Sequence, residues 1–272
     1  MSYFGFLVVF LLPPIVILTA LDFFDHRRKR ALPSEFIVNR PWKVILLMVV
    51  VAVLYTTPWD NYLVATKVWW YDPGLVTGIV IGWVPVEEYT FFILQTIFTG
   101  LITFTLARYL PSPKTHYSSN NSMRWILALG LLPLWILSIL AITTGWGAVA
   151  YLAILLVWAI PPVALQLAFG ADILWYFRRL VLFAILAPTI YLAFADSLAI
   201  SSGTWTINPE KSLMIFIGSL PIEEFIFFMT TNTLIVLGIT LASSKIGRLR
   251  LKKILTSFRT ARKSDIETCS TS

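Results

Sequence analysis

Two stretches of sequence, one in each half of the chain, decide its fold. Residues 60–92 read DNYLVATKVWWYDPGLVTGIVIGWVPVEEYTFF, and residues 196–228 read DSLAISSGTWTINPEKSLMIFIGSLPIEEFIFF. Aligned without gaps, they share 11 identities in 33 positions, mainly at acidic, aromatic, proline and glycine residues. Apolar composition alone does not match residues of these types, so the chain contains an internal repeat.

The repeat extends upstream, where Pro13-Pro14 resembles Pro161-Pro162 once a longer basic loop in the first half is allowed for. Both proline pairs predict helix kinks rather than chemistry. We expect two parallel three-helix repeats, a linking transmembrane helix between them and a basic cytoplasmic tail, at residues 1–110, 146–242, 111–145 and 243–272 respectively. A single linking helix gives both halves the same orientation, and such halves normally enclose one central cleft.

The composition of the chain is that of a membrane protein. Of its 272 residues, 58% are hydrophobic and 13% are charged, whereas soluble domains carry about 25% charged residues. This excludes a soluble enzyme, a disordered protein and a nucleic-acid-binding domain, despite the net charge of +7. Seven stretches are apolar for about the 20 residues that a spanning helix needs: 3–21, 42–58, 86–107, 125–143, 148–168, 176–195 and 222–241. We therefore predict an all-α integral membrane protein with seven transmembrane helices.

Two further apolar runs, residues 74–84 and 212–220, are too short to cross a membrane and precede Pro85 and Pro221. We interpret them as half-helices or re-entrant segments.

The distribution of basic residues predicts the orientation in the membrane. With seven spans and the N-terminus outside, 19 of the 21 Lys and Arg residues fall on the inner side, and only Lys67 and Lys211 do not. Because positive loops stay in the cytoplasm, we expect a multi-pass cell-membrane protein with a cytoplasmic C-terminus. Residues 245–259 alternate basic and apolar side chains, which predicts an interfacial helix in contact with membrane lipids.

Six repeated carboxylates are the candidate catalytic residues: Asp60, Glu87, Glu88, Asp196, Glu223 and Glu224. A charged carboxylate at the centre of a spanning helix costs about 2.5–3.5 kcal/mol, and no Lys or Arg in the same segments could pair with these. One interpretation is simple N-terminal capping by a Pro-x-Glu-Glu motif, and Asp60 and Asp196 could be cap or loop residues. Recurrence in both halves favours acid–base chemistry, because a low dielectric and a like-charged neighbour separate paired carboxyls into an acid and a base. Adjacent helical residues differ by 100°, so one glutamate of each pair is expected to face the cleft.

Repeated aromatic residues follow the acids at fixed distances and are candidate substrate-binding residues: Trp69, Phe91, Phe92, Trp205, Phe227 and Phe228. They could equally be ordinary bundle packing. In a binding role they would line a pocket for a polyene and stabilise a cation through their ring faces.

Motifs for cofactors and metals are missing from the sequence. It contains no dinucleotide-binding or phosphate-binding glycine loop, one cysteine and two histidines, both in polar stretches. We expect no cofactor and no metal, and therefore non-redox proton chemistry on a lipid-dissolved substrate.

The tandem motifs Pro85-Val-Glu-Glu-Tyr89 and Pro221-Ile-Glu-Glu-Phe225, with Pro58-Trp-Asp60 and Trp69, resemble the lycopene cyclase family of heterodimeric type in its fused archaeal form. The resemblance covers about residues 1–242. It implies lycopene β-cyclase activity, an isomerisation of lycopene to β-carotene through γ-carotene. Carried over by motif, Glu87 and Glu223 are the first choices for acid and base, with Glu88 and Glu224 as their tuning neighbours and Asp60 and Asp196 in support.

Other functions stay open at this point. Cyclases that make ε or γ rings, or that act on C50 carotenoids, share these motifs. A proton-coupled transporter also fits duplicated halves with intramembrane acids, although most spans lack the polar residues of a hydrated path. A purely structural membrane subunit is the third alternative. Neither the order of acid and base nor the oligomeric state follows from the sequence.

Overall fold

Seven helices of the computed structural model are long and apolar enough to cross a membrane, counted over residues 1–37, 40–113, 116–145 and 147–270, with side chains described to residue 257. Their bounds are Tyr3–Arg27, Pro41–Ala65, Val86–Tyr109, Asn121–Thr143, Gly147–Tyr176, Arg178–Ser201 and Ile222–Ser243. This confirms the predicted all-α membrane fold with seven spans. The division into two repeats and a linking helix stays a prediction.

The helices are, in chain order, α1 (Tyr3–Phe6), α2 (Leu12–Arg27), α3 (Pro41–Ala65), α4 (Val86–Tyr109), α5 (Asn121–Gly130), α6 (Leu132–Thr143), α7 (Ala150–Tyr176), α8 (Arg178–Ser201), α9 (Ile222–Ser243) and α10 (Lys245–Ser270). A π-helical turn, Leu7–Leu11, joins α1 to α2. Short 3-10 turns lie at Gly147–Val149 and Pro209–Lys211. The tail helix α10 agrees with the helix predicted for residues 245–259, while residues 271–272 of the predicted tail lie outside the described residues.

In the described part of the chain, six short strands lie between the spans: β1 (Trp69–Tyr71), β2 (Val80–Ile81), β3 (Val84–Pro85), β4 (Trp205–Ile207), β5 (Phe216–Ile217) and β6 (Leu220–Pro221). The prediction of half-helices at 74–84 and 212–220 is wrong, because β2 pairs with β3 and β5 pairs with β6 as antiparallel hairpins. Each hairpin turns through two residues that begin with a glycine at positive φ, +72° at Gly82 and +66° at Gly218. Gly-X is a favoured two-residue hairpin turn, and such a turn breaks any helix.

Strands β1 and β4 pair with each other in an antiparallel ribbon, with Trp69 opposite Ile207 and Tyr71 opposite Trp205. Four complete spans separate the two strands in the sequence, so the ribbon joins distant parts of the chain. Asn208 extends the connection, because its backbone N–H donates to the carbonyl of Val68 at 2.8 Å.

Helices α4 and α9 form the centre of the bundle. In each of them 56% of the apolar window is buried, compared with 11% in the span made by α5 and α6. Polar side chains join them: Gln95 donates to Thr231 at 2.9 Å and Thr99 donates to Asn232 at 2.7 Å. Such bonds between spanning helices are worth about 0.6–2 kcal/mol each. They hold the N-terminal turns of α4 and α9, which carry the repeated glutamates, beside each other.

The proline pairs leave carbonyl groups that other helices satisfy. A proline lacks the N–H that would bond the carbonyl four residues earlier, so Pro14 frees that of Phe10 and Pro162 frees that of Trp158. Tyr191 on α8 donates to Phe10 and Tyr55 on α3 donates to Trp158, both at 2.8 Å. The two tyrosines occupy equivalent positions when the ungapped alignment of the halves is extended upstream. The predicted kink is not seen as a break at Pro161 and Pro162, since the residue with non-helical dihedral angles inside α7 is Gly170.

Candidate active site

A small chamber lies under the β1–β4 ribbon, where the first turns of α4 and α9 meet the last turns of α3 and α8. Its free volume is about 40 Å³. Its lining is almost entirely aromatic and acidic: Tyr3, Trp59, Asp60, Trp69, Tyr71, Glu88, Phe91, Phe92, Tyr151, Asp196, Trp205, Ile207, Glu224, Phe227 and Phe228. Ten of the twelve residues singled out from the sequence line this chamber; Glu87 and Glu223 do not.

Glu88 and Glu224 face the chamber and accept hydrogen bonds from phenols. Tyr3 and Tyr71 both donate to Oε2 of Glu88, the latter at 3.0 Å. Tyr151 donates to Oε1 of Glu224 at 2.7 Å. Both carboxyls are buried, and each is held at the N-terminal turn of its helix, where the backbone dipole favours negative charge.

Glu87 and Glu223 point to the opposite side and stabilise the loops that precede their helices. Oε1 of Glu87 accepts from the backbone N–H of Thr77 at 2.6 Å, and Oε1 of Glu223 accepts from that of Leu213 at 2.6 Å. Both side chains are fully buried. Their other oxygens have no hydrogen-bond partner within the described part of the chain. One glutamate of each pair therefore faces the chamber, as expected from the 100° offset, and it is the second of the two.

Asp60 and Asp196 lie inside the last turns of α3 and α8 rather than in a cap or a loop. They are buried, with side chains 1% and 2% exposed, and lie within electrostatic reach of both chamber glutamates. Neither oxygen of Asp60 has a hydrogen-bond partner among the described residues. Four carboxyls this close in an apolar enclosure cannot all be charged without a large desolvation cost.

Tyr71 makes the two ends of the chamber unequal. Burial, with the negative charge of Glu88 and Asp60, raises the pKa of the Tyr71 phenol well above its usual value, so its hydroxyl stays a donor at physiological pH. At the equivalent position of the other half, the chain carries Ile207. Glu88 therefore has two phenol donors and Glu224 has one.

The walls of the chamber are aromatic rings in direct contact. Trp59 stacks on Trp158 at 4.6 Å between centroids and on Phe227 at 5.8 Å. Across the chamber, Tyr3 contacts Trp205 at 4.9 Å, and Phe227 contacts Phe228 at 5.3 Å. Ring faces attract cations, and this attraction is strongest where water is absent. The predicted aromatic residues thus surround the acids instead of only filling the bundle.

Sequence reasoning did not name Tyr3, Tyr71, Tyr151 or Trp59 as site residues, although Trp59 lies within the Pro58-Trp-Asp60 motif. For two of them a signal was present, because Tyr3 and Tyr151 align with each other in the same register that aligns the two proline pairs. Tyr71 has no counterpart in the other half, so the repeat could not reveal it.

The chamber brings carboxyl groups and phenols together. Within the described residues, no group of three or more His, Cys, Asp or Glu side chains is placed to hold a metal ion. Donors, acceptors and ring faces are the chemical groups that it offers.

Comparison with known proteins gives a consistent result. The family profile described as Lycopene cyclase matches residues 7–106 and 148–242. A protein of Halobacterium salinarum named lycopene beta-cyclase is 35% identical over 260 residues, which cover 92% of this chain and 99% of the relative. The bifunctional lycopene cyclase/phytoene synthase of Phycomyces blakesleeanus is 37% identical over 202 residues, 70% of this chain and 32% of the relative. No solved structure matches this chain.

Proposed function

Because this chain belongs to the lycopene cyclase family, we propose that it converts lycopene to β-carotene through γ-carotene. The chain is a cyclase of carotenoid biosynthesis, an intramolecular lyase or isomerase, with seven apolar helices suited to a multi-pass membrane protein. The observation that carries the proposal is the pair of phenol-bonded glutamates, Glu88 and Glu224, inside one aromatic chamber.

The proposed reaction is an isomerisation in which one proton is added and one is removed. A carboxylic acid protonates the terminal double bond of the linear end group and leaves a tertiary cation. The neighbouring double bond attacks that cation, which forms the carbon–carbon bond of a six-membered ring and shifts the positive charge into it. A carboxylate then removes a ring proton, and the electron pair of the broken C–H bond forms the ring double bond.

We assign the acid to Glu224 and the base to Glu88. A phenol hydrogen bond to a charged carboxylate is worth about 1.5–3 kcal/mol, and Glu88 receives two where Glu224 receives one. The extra donor favours the carboxylate form of Glu88 over that of Glu224. Environments that separate two carboxyls in this way assign acid and base roles.

In this proposal Asp60 and Asp196 exchange protons with the two glutamates, since both line the chamber. Returning the proton from Glu88 to Glu224 after each turnover requires a path between them. A buried carboxyl such as Asp60, which has no hydrogen-bond partner among the residues described, can take up and release the proton. Glu87 and Glu223 have a structural role, because they hold the loops above the chamber.

The aromatic walls serve the cationic intermediate. Trp59, Phe227, Phe228 and their neighbours present ring faces and edges around the acids. A cation over such a ring gains about 2 kcal/mol or more when desolvated. Ring surfaces also offer water few hydrogen-bonding partners beside the cation, whose capture by water would give a hydroxylated product.

We also propose that the protein lies in the cell membrane with its N-terminus outside and its C-terminus in the cytoplasm. The positive charge of the predicted inner loops and of α10 supports this orientation. The chamber would then lie near the outer surface. The two segments that match the family profile agree with the proposed repeats and leave the α5–α6 span between them.

Expression in a lycopene-accumulating bacterium, followed by pigment chromatography, tests the function. We expect β-carotene, with γ-carotene at short times. Unchanged lycopene in cells that hold correctly inserted protein would overturn the proposal, and an ε-ring product would correct the ring type. Fusion of a reporter enzyme to each terminus tests the orientation.

A further inference from the structure

A second, larger cavity adjoins the chamber on one side of the bundle. It lies between α3, α4, α7 and α9, and its free volume is about 210 Å³. Phe92 and Phe227 line both the cavity and the chamber. We call this cavity the lateral groove, because its outer rim is formed by Val51 and Tyr55, whose side chains are 50% and 41% exposed on the surface of a spanning helix.

The volumes show that the chamber alone cannot hold a carotenoid. Its 40 Å³ has room for a few water molecules, whereas pockets for small molecules measure about 300–1,000 Å³. An end group that enters the chamber leaves a long conjugated chain behind it. The lateral groove is the adjoining space that can take the start of this chain and open towards the membrane.

The lining of the groove suits a conjugated hydrocarbon. An unbroken series of stacked rings leads inward from the rim, from Tyr55 to Trp158 at 5.5 Å, to Trp59 at 4.6 Å and to Phe227 at 5.8 Å. Polar groups deeper in the groove are largely satisfied by protein; Gln95, for example, donates to Thr231. A flat polyene can therefore lie beside this series of rings from the membrane to the acids.

The corresponding face of the other half is filled. When the ungapped alignment is extended along α4 and α9, Leu234 and Gly238 align with Phe98 and Ile102. Phe98 is buried and its ring contacts Tyr191 at 5.3 Å between centroids. At Gly238, in contrast, there is no side chain, and Met48 packs against the helix there, with its Sδ 2.8 Å from where a Cβ atom would lie. The repeat has thus diverged into one open and one filled face.

We infer that the lateral groove is the site through which the polyene chain of the substrate enters from the lipid and in which it lies while its end group reacts. The inference rests on the proposed function, since the occupant is the carotenoid that the chamber cyclises. It also implies that both ends of lycopene enter the chamber through the same face of the bundle, one after the other.

Two variants at matched positions test the inference. Val51→Trp places a large ring over the rim of the groove, whereas Ala187→Trp makes an even larger addition at the equivalent position on α8, which does not line the groove. Initial rates are measured in lycopene-loaded vesicles. We expect Val51→Trp to lower the rate at limiting lycopene about tenfold, and Ala187→Trp to remain close to the native rate.

Substrate loading provides a readout that does not depend on turnover. Both substitutions are placed in a Glu88→Gln, Glu224→Gln background, and lycopene bound per protein in nanodiscs is measured after extraction. Val51→Trp should load about tenfold less than Ala187→Trp. Equal rates or equal loading for the two tryptophan variants would overturn the groove. If the native protein makes no cyclic product, the proposed function fails, while the loading comparison still decides the groove.

Discussion

The four glutamates of the two Pro-x-Glu-Glu motifs give the sharpest test of the site, because sequence and structure rank them in opposite order. The perturbation is a set of four single variants, Glu87→Gln, Glu88→Gln, Glu223→Gln and Glu224→Gln, each of which keeps the shape of the side chain. General acid or base catalysis is worth about 10²–10⁴-fold, and an amide can neither supply the proton nor remove it. We expect Glu88→Gln and Glu224→Gln each to lower the cyclisation rate by at least about 100-fold.

Glu87 and Glu223 are the matched controls for this set. A glutamine at either position still offers an oxygen to the backbone N–H of Thr77 or Leu213, which each glutamate accepts at 2.6 Å. A change of about 1 kcal/mol in that single hydrogen bond corresponds to a rate within about fivefold of the native rate. Initial rates of ring formation are measured in lycopene-loaded vesicles with the amount of inserted protein normalised. Loss of activity in Glu87→Gln and Glu223→Gln, with activity retained in the other two, would refute the chamber assignment.

Three further expectations follow from single contacts. Tyr71→Phe removes one of two phenol donors to Glu88, so the cyclisation rate should fall about tenfold or more. Because the pKa of Tyr71 is raised, the rate–pH profile of the native enzyme should show no alkaline decline from this group below about pH 10. Tyr191→Phe leaves the carbonyl of Phe10 without its donor and should lower the free energy of unfolding by about 1–3 kcal/mol in a denaturant titration, with wild-type values contradicting the contact. Arg250→Ala removes the partner of Asp172 at 2.7 Å and should cost about 1.5–3 kcal/mol. Since that pairing raises the pKa of Arg250, its contribution is present below the ordinary arginine value, so the difference should stay constant from about pH 6 to pH 10.

Much of the fold could be predicted from the sequence because lipid leaves few choices. A backbone in hydrocarbon must satisfy its hydrogen bonds internally, so seven long apolar stretches had to become seven helices. The short runs before Pro85 and Pro221 were misinterpreted because apolar composition does not separate a half-helix from a hairpin. The repeated glycines Gly82 and Gly218, which form the hairpin turns at positive φ, were the residues that distinguish a hairpin from a half-helix.

The candidate site could be predicted only as a list of residues. The acids and aromatic residues could be identified because they recur at the same positions in both halves, whereas apolar residues can replace one another without leaving such identities. The rotation of α4 and α9 about their own axes decides which glutamate of each pair faces the chamber. The 100° offset between adjacent residues predicts that only one does, but it does not say which one. Tyr71 could not be identified for a different reason. The equivalent residue in the other half is Ile207, so a search for repeated residues does not find Tyr71.

The β1–β4 ribbon has a consequence for how such a protein can be divided. Trp69 and Tyr71 come from one strand and Trp205 and Ile207 from the other, and all four contribute to the ceiling of the reaction space. A polypeptide that ended after the third span would carry only one edge of that ceiling, with its hydrogen-bonding groups exposed to solvent. If the two portions were encoded by separate genes, their products would therefore form a closed compartment only on association. Pairing of the two strands would be the step that closes it.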